Sequence, residues 1–361
     1  MSSVTLQRLF GIELPIVQAP MAGVQGSALT VAVSNAGALG SLPCAMLTLD
    51  GVRTELAAIQ AQTDNPVNVN FFCHTPPAAD PEREARWRAA LTPYYQELGV
   101  DPASIPDGPG RAPFTSEAAD LIDEFKPAVV SFHFGLPSAD LVRRVKACGS
   151  RVIATATTVE EARWLESHGA DAVIAQGIEA GGHRGMFLSD DLSTQVGTFA
   201  LLPQVVRAVK LPVIAAGGLA DANGVAAAIA LGASGVQVGT AYLLCPEALT
   251  SPVHRAALKS DAARSTALTN VFTGRPARAI VNRLMRELGP ISAVSPAFPL
   301  ASLAVLPLRA RAEGTGSGDF SSLWAGQNVS GCREVPAGQL TRELADGLPD
   351  GTTRAVVKGS A

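Results

Sequence analysis

The sequence is poor in the features that mark several large classes of protein. Aromatic residues make up 5% and charged residues 17% of its 361 positions, and a formal net charge of −4 accompanies no run of lysine or arginine. Nucleic acid and anionic membrane surfaces are therefore not expected as partners. No apolar segment approaches the roughly 20 residues of a membrane-spanning helix, and residues 1–15 carry neither the basic nor the apolar part of a secretory signal. We expect a cytoplasmic protein without membrane association.

Paired cysteines and several well-known catalytic motifs are also missing. The five cysteines are widely spaced and form no CxxC pair, so neither a disulfide scaffold nor a metal site is expected, and we interpret them as free thiols. GxSxG, HExxH, Walker and GxGxxG motifs are absent. The sequence therefore gives no support for triad hydrolysis, zinc-dependent proteolysis or dinucleotide binding by a Rossmann fold.

Short apolar segments instead alternate with helical ones from residue 16 to residue 240, and hydrophobic residues make up 47% of the chain. Eight apolar segments are predicted as strands, at residues 16–21, 39–43, 67–72, 128–134, 151–155, 172–175, 212–216 and 235–239. No segment is typical of the edge of an open sheet. This alternation predicts an α/β fold, a (β/α)8 TIM barrel of parallel strands.

Two segments depart from the alternation and define the predicted domains. Residues 1–250 are predicted to form the barrel, with an insertion after the third strand at about 76–115. That insertion contains a charged helix, Pro81–Leu98, and is expected on the top face as a lid or a solvated addition. Residues 251–330 are predicted as a substrate-side extension, helical over 251–288 and a proline-rich loop over 289–307, and residues 331–361 as a tail that returns to the barrel.

The chemistry is expected at residues 172–185, AVIAQGIEAGGHRG, where a buried strand ends in a polar, glycine-rich turn. The carboxyl ends of the strands form the catalytic face of such a barrel. Gly181 and Gly182 let the backbone approach a flat ligand, and His183 beside them can exchange a proton near an ordinary pKa of about 6.5. His183 is therefore the predicted catalytic or substrate-orienting residue.

Two further strand ends predict a phosphate site. Gly217-Gly218 and Gly239-Thr240 follow the seventh and eighth predicted strands, where backbone N–H groups of such barrels bind phosphate. A mononucleotide is therefore the expected ligand, with its phosphate at these turns and its ring across the barrel mouth.

The ring of that ligand needs polar partners at its edges and a close-packed floor. The amides of Asn70 and Gln176 can donate to and accept from the edges of a flat heterocycle. Ala19, Met21 and Gly181 are expected beneath it.

The other histidines are weaker candidates. Alternation along the fourth strand sends His133 to the side opposite Phe132 and Phe134, where it either faces the site or is a hydrogen-bonded core residue. His254 is expected at the surface, and His168 at the end of a helix.

Seven segments carry a resemblance to a known family. QAPMAGV (18–24), NVNFFCH (68–74), SFHFG (131–135) and AQGIEAGGHRG (175–185), with AAGGL (215–219), QVGTAYLLCPE (237–247) and WAGQ (324–327), resemble the nitronate monooxygenases in the same order along the chain. The resemblance implies an FMN-dependent barrel enzyme that oxidises alkyl nitronates with O2 to a carbonyl compound and nitrite. It implies His183 as the catalytic histidine, with His133 beside the substrate. The FMN contacts that it implies are Ala19, Pro20, Met21, Asn70, Gln176, Gly181, Gly217, Gly218, Gln237, Val238, Gly239 and Thr240.

The chain departs from the family in one loop. Family members carry a tyrosine and a lysine in the loop before the last helix, whereas residues 295–307 offer Phe298, Ser302 and Leu306. We therefore expect a more apolar pocket, for a different or larger substrate. Two other functions remain open: an FMN-dependent NAD(P)H reductase of the enoyl-acyl-carrier-protein type, which has a similar EAGGH turn, and a phosphate-binding barrel without redox activity. The oligomeric state, monomer or homodimer, is not predicted.

Overall fold

Parallel strands form a closed barrel in the computed structural model, which describes residues 5–106, 108 and 110–349. The strands are, in chain order, β1 (Ile16–Gln18), β2 (Gly40–Pro43), β3 (Val67–Phe72), β4 (Val129–His133), β5 (Arg151–Ala156), β6 (Ala172–Gln176), β7 (Gly182–His183), β8 (Val213–Ala216), β9 (Gly235–Val238), β10 (Thr266–Thr269) and β11 (Ala277–Ile280). Eight of them pair in the order β1-β9-β8-β6-β5-β4-β3-β2, and a parallel bridge between Val17 and Leu39 joins the two ends of that row. The predicted (β/α)8 barrel is confirmed.

Helices cover the outside of the barrel, and several begin at a residue whose side chain caps the first turn. Thr115, Thr158 and Asp221 each accept a hydrogen bond from a backbone N–H group that has no partner inside its own helix. The helices are α1 (Leu6–Phe10), α2 (Ser27–Asn35), α3 (Leu49–Gln60), α4 (Pro81–Leu98), α5 (Ser116–Phe125), α6 (Ala139–Ala147), α7 (Val159–Ser167), α8 (Thr198–Ala208), α9 (Ala222–Ala230), α10 (Pro252–Leu258), α11 (Arg283–Glu287), α12 (Ala301–Glu313) and α13 (Ala337–Ala345).

The first barrel strand is shorter than predicted, and this matters for the site. β1 ends at Gln18, so residues 19–21 form a loop rather than the end of a strand. The N–H of Ala19 still donates to the carbonyl of Val238 at 2.8 Å, which ties the start of this loop to β9. The loop therefore leaves the barrel next to the glycine-rich turn that follows β9.

The C-terminal extension differs from its prediction in two places. The predicted helical segment over 251–288 is confirmed at α10 and α11 but wrong between them, because β10 and β11 form an antiparallel hairpin there and β11 also pairs with β7. A loop throughout 289–307 is wrong as well, since α12 begins at Ala301 and contains Pro307. The missing N–H of this proline is offset by burial of Ala304, Val305 and Leu308 on the same helix.

The insertion and the extension pack against each other and form a second hydrophobic core. Trp87 and Tyr95 of α4 are buried, and their polar atoms donate to the carbonyls of Ala301 and Ala304 in α12, at 3.1 Å and 2.5 Å. The insertion is therefore not a solvated addition. The residues of α4 and α12 that form this contact are far apart in the sequence, so the two segments meet only when the whole chain folds.

The predicted tail, residues 331–361, is described up to residue 349 and contains α13, and residues 350–361 lie outside the described residues. α13 packs against α2 and α9, and Thr341 within it is hydrogen-bonded to the hydroxyl of Tyr242 at 2.9 Å. All five cysteines are free thiols, as predicted. In the part of the chain that the structure describes, no helix combines the length and apolarity needed to cross a membrane.

Candidate active site

A cavity of about 310 Å³ lies where the barrel strands end. It brings together both predicted catalytic histidines and all but one of the predicted cofactor contacts, namely Ala19, Pro20, Met21, Asn70, Gln176, Gly181, Gly217, Gly218, Gln237, Gly239 and Thr240. Val238 does not line it, because its side chain is fully buried in the barrel core. The strand ends that the sequence indicated therefore converge on one enclosed volume.

His183 occupies a short strand rather than an open turn. β7 pairs with β11, opposite Ala277, and only 9% of His183 is exposed. Burial lowers the pKa of His183 well below 6.5, and the positive charges of Arg111 and Arg275 lower it further. The expectation of an ordinary pKa near 6.5 is therefore wrong, since the imidazole is shielded by residues distant in sequence.

Hydrogen bonds hold the segment that carries His183 in place. The buried guanidinium of Arg184 donates to the carbonyls of Gln176 and Gly177, both at 2.7 Å, and to Oε1 of Gln195 at 3.0 Å. The Gln176 amide donates to the carbonyl of His183 at 3.1 Å and accepts from the N–H of Gly185 at 2.8 Å. Gln176 thus lines the cavity, but both ends of its amide already position the histidine segment.

His133 faces the cavity with both of its ring nitrogens engaged. Nε2 lies 3.2 Å from the carbonyl of His183, which can only accept, so this nitrogen carries the proton. Nδ1 lies 3.1 Å from the hydroxyl of Thr155, which therefore donates. Burial lowers the pKa of His133 to about 3, so the ring is neutral. Its place beside the site agrees with the site-facing alternative, and its hydrogen bonds fix the main chain at His183.

The remaining three histidines occupy different places in the fold. His74 donates from Nε2 to the carbonyl of Arg111 at 3.0 Å, and burial lowers its pKa. His168 ends α7 and stacks on Trp164, as expected for a helix terminus. The prediction that His254 lies at the surface is wrong: 4% of it is exposed, and it also borders the cavity.

Glycine is required at two of the turns for different reasons. Gly217 and Gly218 have φ angles of 110° and 75°, which other residues rarely adopt. Within the described part of the chain, their N–H groups have no acceptor. A Cβ on Gly181 would lie 2.6 Å from the backbone of Ala325 and Gly326, so this glycine admits the WAGQ segment to the cavity wall.

Two amides among the lining residues of this cavity have an acceptor oxygen without a hydrogen-bond donor in the described chain. Asn70 donates from Nδ2 to the carbonyl and hydroxyl of Ser131, at 3.2 Å and 2.9 Å, which assigns its oxygen to the opposite side. Oε1 of Gln237 is buried without a hydrogen-bond partner in the described chain. An acceptor without a donor is costly to bury, so the Asn70 oxygen fits a ligand that carries polar hydrogens.

The loop that departs from the family, residues 295–307, places its residues Phe298, Ser302 and Leu306 in different surroundings. Phe298 is buried, with its ring centroid 5.3 Å from that of His183, and joins Phe72 and Phe134 in an aromatic cluster. Ser302 and Leu306 lie in α12 and do not reach the first cavity. They line a second cavity of about 390 Å³, which shares Met46, Arg111, Arg309 and Ser322 with the first.

Three residues of the site are absent from the sequence predictions. Thr273 lies with its hydroxyl 2.9 Å from Nε2 of His183, and Trp324 has its ring centroid 5.4 Å from the imidazole. Arg111 reaches the same cavity from the insertion. Only Trp324 had a signal in the sequence, as part of the WAGQ segment, because the other two stand in no recognisable motif.

Comparison with known proteins decides the family. The sequence profile described as nitronate monooxygenase matches residues 3–347. A nitronate monooxygenase from Pseudomonas aeruginosa is 44% identical over 350 residues, which cover 94% of this chain and 98% of that relative. The chain belongs to the nitronate monooxygenase family. A probable nitronate monooxygenase from Bacillus subtilis is 38% identical, over 93% of this chain and 96% of its own length.

Solved structures agree with the nitronate monooxygenase family. A nitroalkane oxidase from Streptomyces ansochromogenes has a TM-score of 0.86 and 40% identity, covering 95% of this chain and 97% of its own. FabK from Thermotoga maritima is more distant, with a TM-score of 0.71 and 29% identity over 96% of each chain. The resemblance seen in the sequence is confirmed, and the protein is an oxidoreductase.

Proposed function

We propose that this protein is an FMN-dependent monooxygenase of alkyl nitronates, which consumes O2 and releases a carbonyl compound and nitrite. The observation that carries the proposal is a buried, neutral His183, hydrogen-bonded to Thr273 in a cavity that the glycine-rich strand ends enclose. The names of relatives that match nearly the whole chain support the same reaction.

The lining of the cavity fits FMN. The N–H groups of Gly217 and Gly218 would hold the phosphate, since they point to no acceptor in the described chain. The oxygen of Asn70 would accept a hydrogen bond from the polar edge of the ring. Met21 would pack against its face. Bound FMN would supply the redox chemistry, by taking electrons from the nitronate and delivering them to O2.

His183 is best suited to hold the substrate rather than to deprotonate it. Its depressed pKa makes the imidazole a weak base, which disfavours proton removal from a neutral nitroalkane. The Thr273 hydroxyl has two acceptors within reach, Nε2 of His183 at 2.9 Å and the carbonyl of Arg275 at 3.4 Å. We propose that it donates to the nearer one, Nε2, so that the proton of the neutral ring is on Nδ1, which can donate to an oxygen of a nitronate. A donor fixed in a desolvated site stabilises developing negative charge without reorganisation.

His133 and Gln176 act as positioning residues in this proposal. Both donate to the carbonyl of His183, at 3.2 Å and 3.1 Å, so they set the place of its main chain. His133 has no nitrogen left for a substrate, because Thr155 occupies the other one.

Wild type, His183→Ala and His168→Ala test the proposal, because His168 is an exposed histidine remote from the cavity. Nitrite release and O2 uptake from a preformed nitronate should fall about 100-fold in His183→Ala, with FMN content unchanged. His168→Ala should match the wild type. Gly218→Asp should purify without FMN, since it places a carboxylate at the phosphate position. Full turnover by His183→Ala, or none by the wild type, would contradict the proposal.

A further inference from the structure

Arg111 is a cation in the cavity wall without a counter-charge. Its Nη2 lies 3.6 Å from the sulfur of Met46, and its guanidinium carbon lies 5.8 Å from the ring centroid of Phe298. In the described part of the chain it forms no ion pair with a carboxylate. A thioether and an aromatic face leave most of the five guanidinium N–H donors without an oxygen acceptor.

The backbone of Arg111 is fixed even though its charge is unpaired. His74 at the end of β3 donates from Nε2 to the carbonyl of Arg111 at 3.0 Å. The ring of Phe298 contacts the side chains of both Arg111 and His183. The guanidinium and the imidazole therefore line the same cavity close to one aromatic ring.

The other charges near the cavity are already satisfied. Arg309 and Glu313 line it as an ion pair, with Nε and Oε1 2.8 Å apart. Arg275 lies behind the wall, where it donates to the carbonyl of Met186 and has its guanidinium carbon 4.1 Å from the ring centroid of Phe134. Among the described residues that line this cavity, Arg111 thus supplies an unbalanced positive charge, on a side chain that is half-buried.

We infer that Arg111 is a specificity-determining residue that binds the negatively charged oxygens of the nitronate, so that the site takes the anion in preference to the neutral nitroalkane. The inference rests on the proposed function. Arg111 and the neutral His183 would share the recognition: the guanidinium supplies charge, and the imidazole supplies a directed hydrogen bond. An anion beside Arg111 also balances its charge, which a neutral ligand cannot do.

The test compares Arg111→Met, Arg111→Lys and Arg86→Met, where Arg86 is an exposed arginine of the same insertion. In Arg111→Met the KM for a preformed nitronate should rise about 10- to 100-fold, because a charge-assisted hydrogen bond is lost, while kcat changes by less than about threefold. Arg111→Lys should recover part of the affinity, and Arg86→Met should match the wild type. FMN content should be the same in all four proteins.

Inhibitors that are not turned over distinguish loss of the Arg111 charge from general damage to the site. Propionate is a planar anion similar to the nitronate group, and 1-nitropropane is neutral. In Arg111→Met, inhibition by propionate should weaken by the same factor as KM, and inhibition by 1-nitropropane should not change. Equal weakening of both inhibitors, or an unchanged KM, would overturn the inference. If the wild type binds propionate through Arg111 but does not oxidise nitronates, the proposed function is refuted and anion binding by Arg111 stands.

Discussion

The Nε2 atom of His183 lies 2.9 Å from the hydroxyl of Thr273, a residue 90 positions further along the chain. The two are brought together because β7 pairs with β11, and Thr273 lies in the connection between β10 and β11. The hydroxyl fixes the orientation of a ring that burial keeps neutral. The state of the central imidazole therefore depends on the C-terminal extension as well as on the barrel.

Removal of the Thr273 hydroxyl should impair turnover without loss of the cofactor. Thr273→Val keeps the shape of the side chain and removes its hydrogen bond, so kcat/KM should fall about 10-fold. Thr273→Ser keeps a hydroxyl and should stay near the wild type. Steady-state nitrite release and the FMN content of each protein provide the measurement. Equal activity of the valine and serine variants would show that the Thr273 hydroxyl does not contribute to turnover.

The pH dependence of turnover should lack a histidine titration near 6.5. The pKa of His183 is held well below that value, so its protonation state does not change between about pH 6 and about pH 8. With a preformed nitronate, kcat/KM should be constant across this range. A profile that rises or falls with an apparent pKa near 6.5, and that is lost in His183→Ala, would show that the imidazole titrates in the working range.

The sequence predicts the strands of the barrel but not all elements of the C-terminal extension. The β-branched segments and their spacing predict all eight barrel strands, since strands buried on both faces are apolar throughout. The hairpin β10–β11 was not predictable in the same way, because its strands are four residues long and β10 is only partly buried. The proline-rich segment that ends at Pro307 predicts a loop, and packing of α12 against α4 explains the helix that forms there.

Within the site, residues near one another in sequence were predicted and those joined by folding were not. The glycine-rich strand ends converge because the barrel brings their carboxyl ends together. The pKa of His183, in contrast, is set by burial and by Arg111 and Arg275, which come from other segments. Nothing in the neighbouring residues Gly182 and Arg184 indicates that burial.

Acid should destabilise the fold partly through His254. Burial lowers its pKa to about 4, whereas in the unfolded chain it titrates near the ordinary value of about 6.5. Below about pH 6.5 the unfolded state binds the proton first, so the free energy of unfolding falls as the pH decreases towards about 4. Above about pH 6.5 this contribution is fully present.

The variant His254→Gln isolates that contribution. Between about pH 7.5 and about pH 5.5 the wild type should lose about 1 kcal/mol more unfolding free energy than His254→Gln. Urea unfolding of both proteins at both pH values gives the change of unfolding free energy with pH for each. The difference between these two changes is independent of any pH-independent cost of the substitution. If the unfolding free energies of the two proteins change equally with pH, His254 has the same pKa in the folded and the unfolded chain.

The second cavity should accept the alkyl chain of a larger nitronate. It adjoins the first through Met46, Arg111, Arg309 and Ser322, and Leu303, Val305 and Leu306 contribute apolar surface. If the chain enters this volume, KM should fall about fourfold for each added methylene until the cavity is filled.

A bulky residue at Leu306 should block only the longer substrates. In Leu306→Trp, the KM for octyl nitronate should rise about 10-fold relative to the wild type, and that for ethyl nitronate should not change. Leu188→Trp, at another exposed leucine, is the matched control. The same KM ratio of the two nitronates in both variants and the wild type would place the alkyl chain elsewhere.

The most direct test of the proposed reaction is the visible spectrum of the purified holoenzyme without O2. We expect a flavin spectrum that changes on addition of propionate-3-nitronate, stays unchanged with NADH in a parallel sample, and returns on admission of O2 together with nitrite. Rapid bleaching by NADH and none by the nitronate would contradict the monooxygenase and identify an NADH-dependent reductase instead.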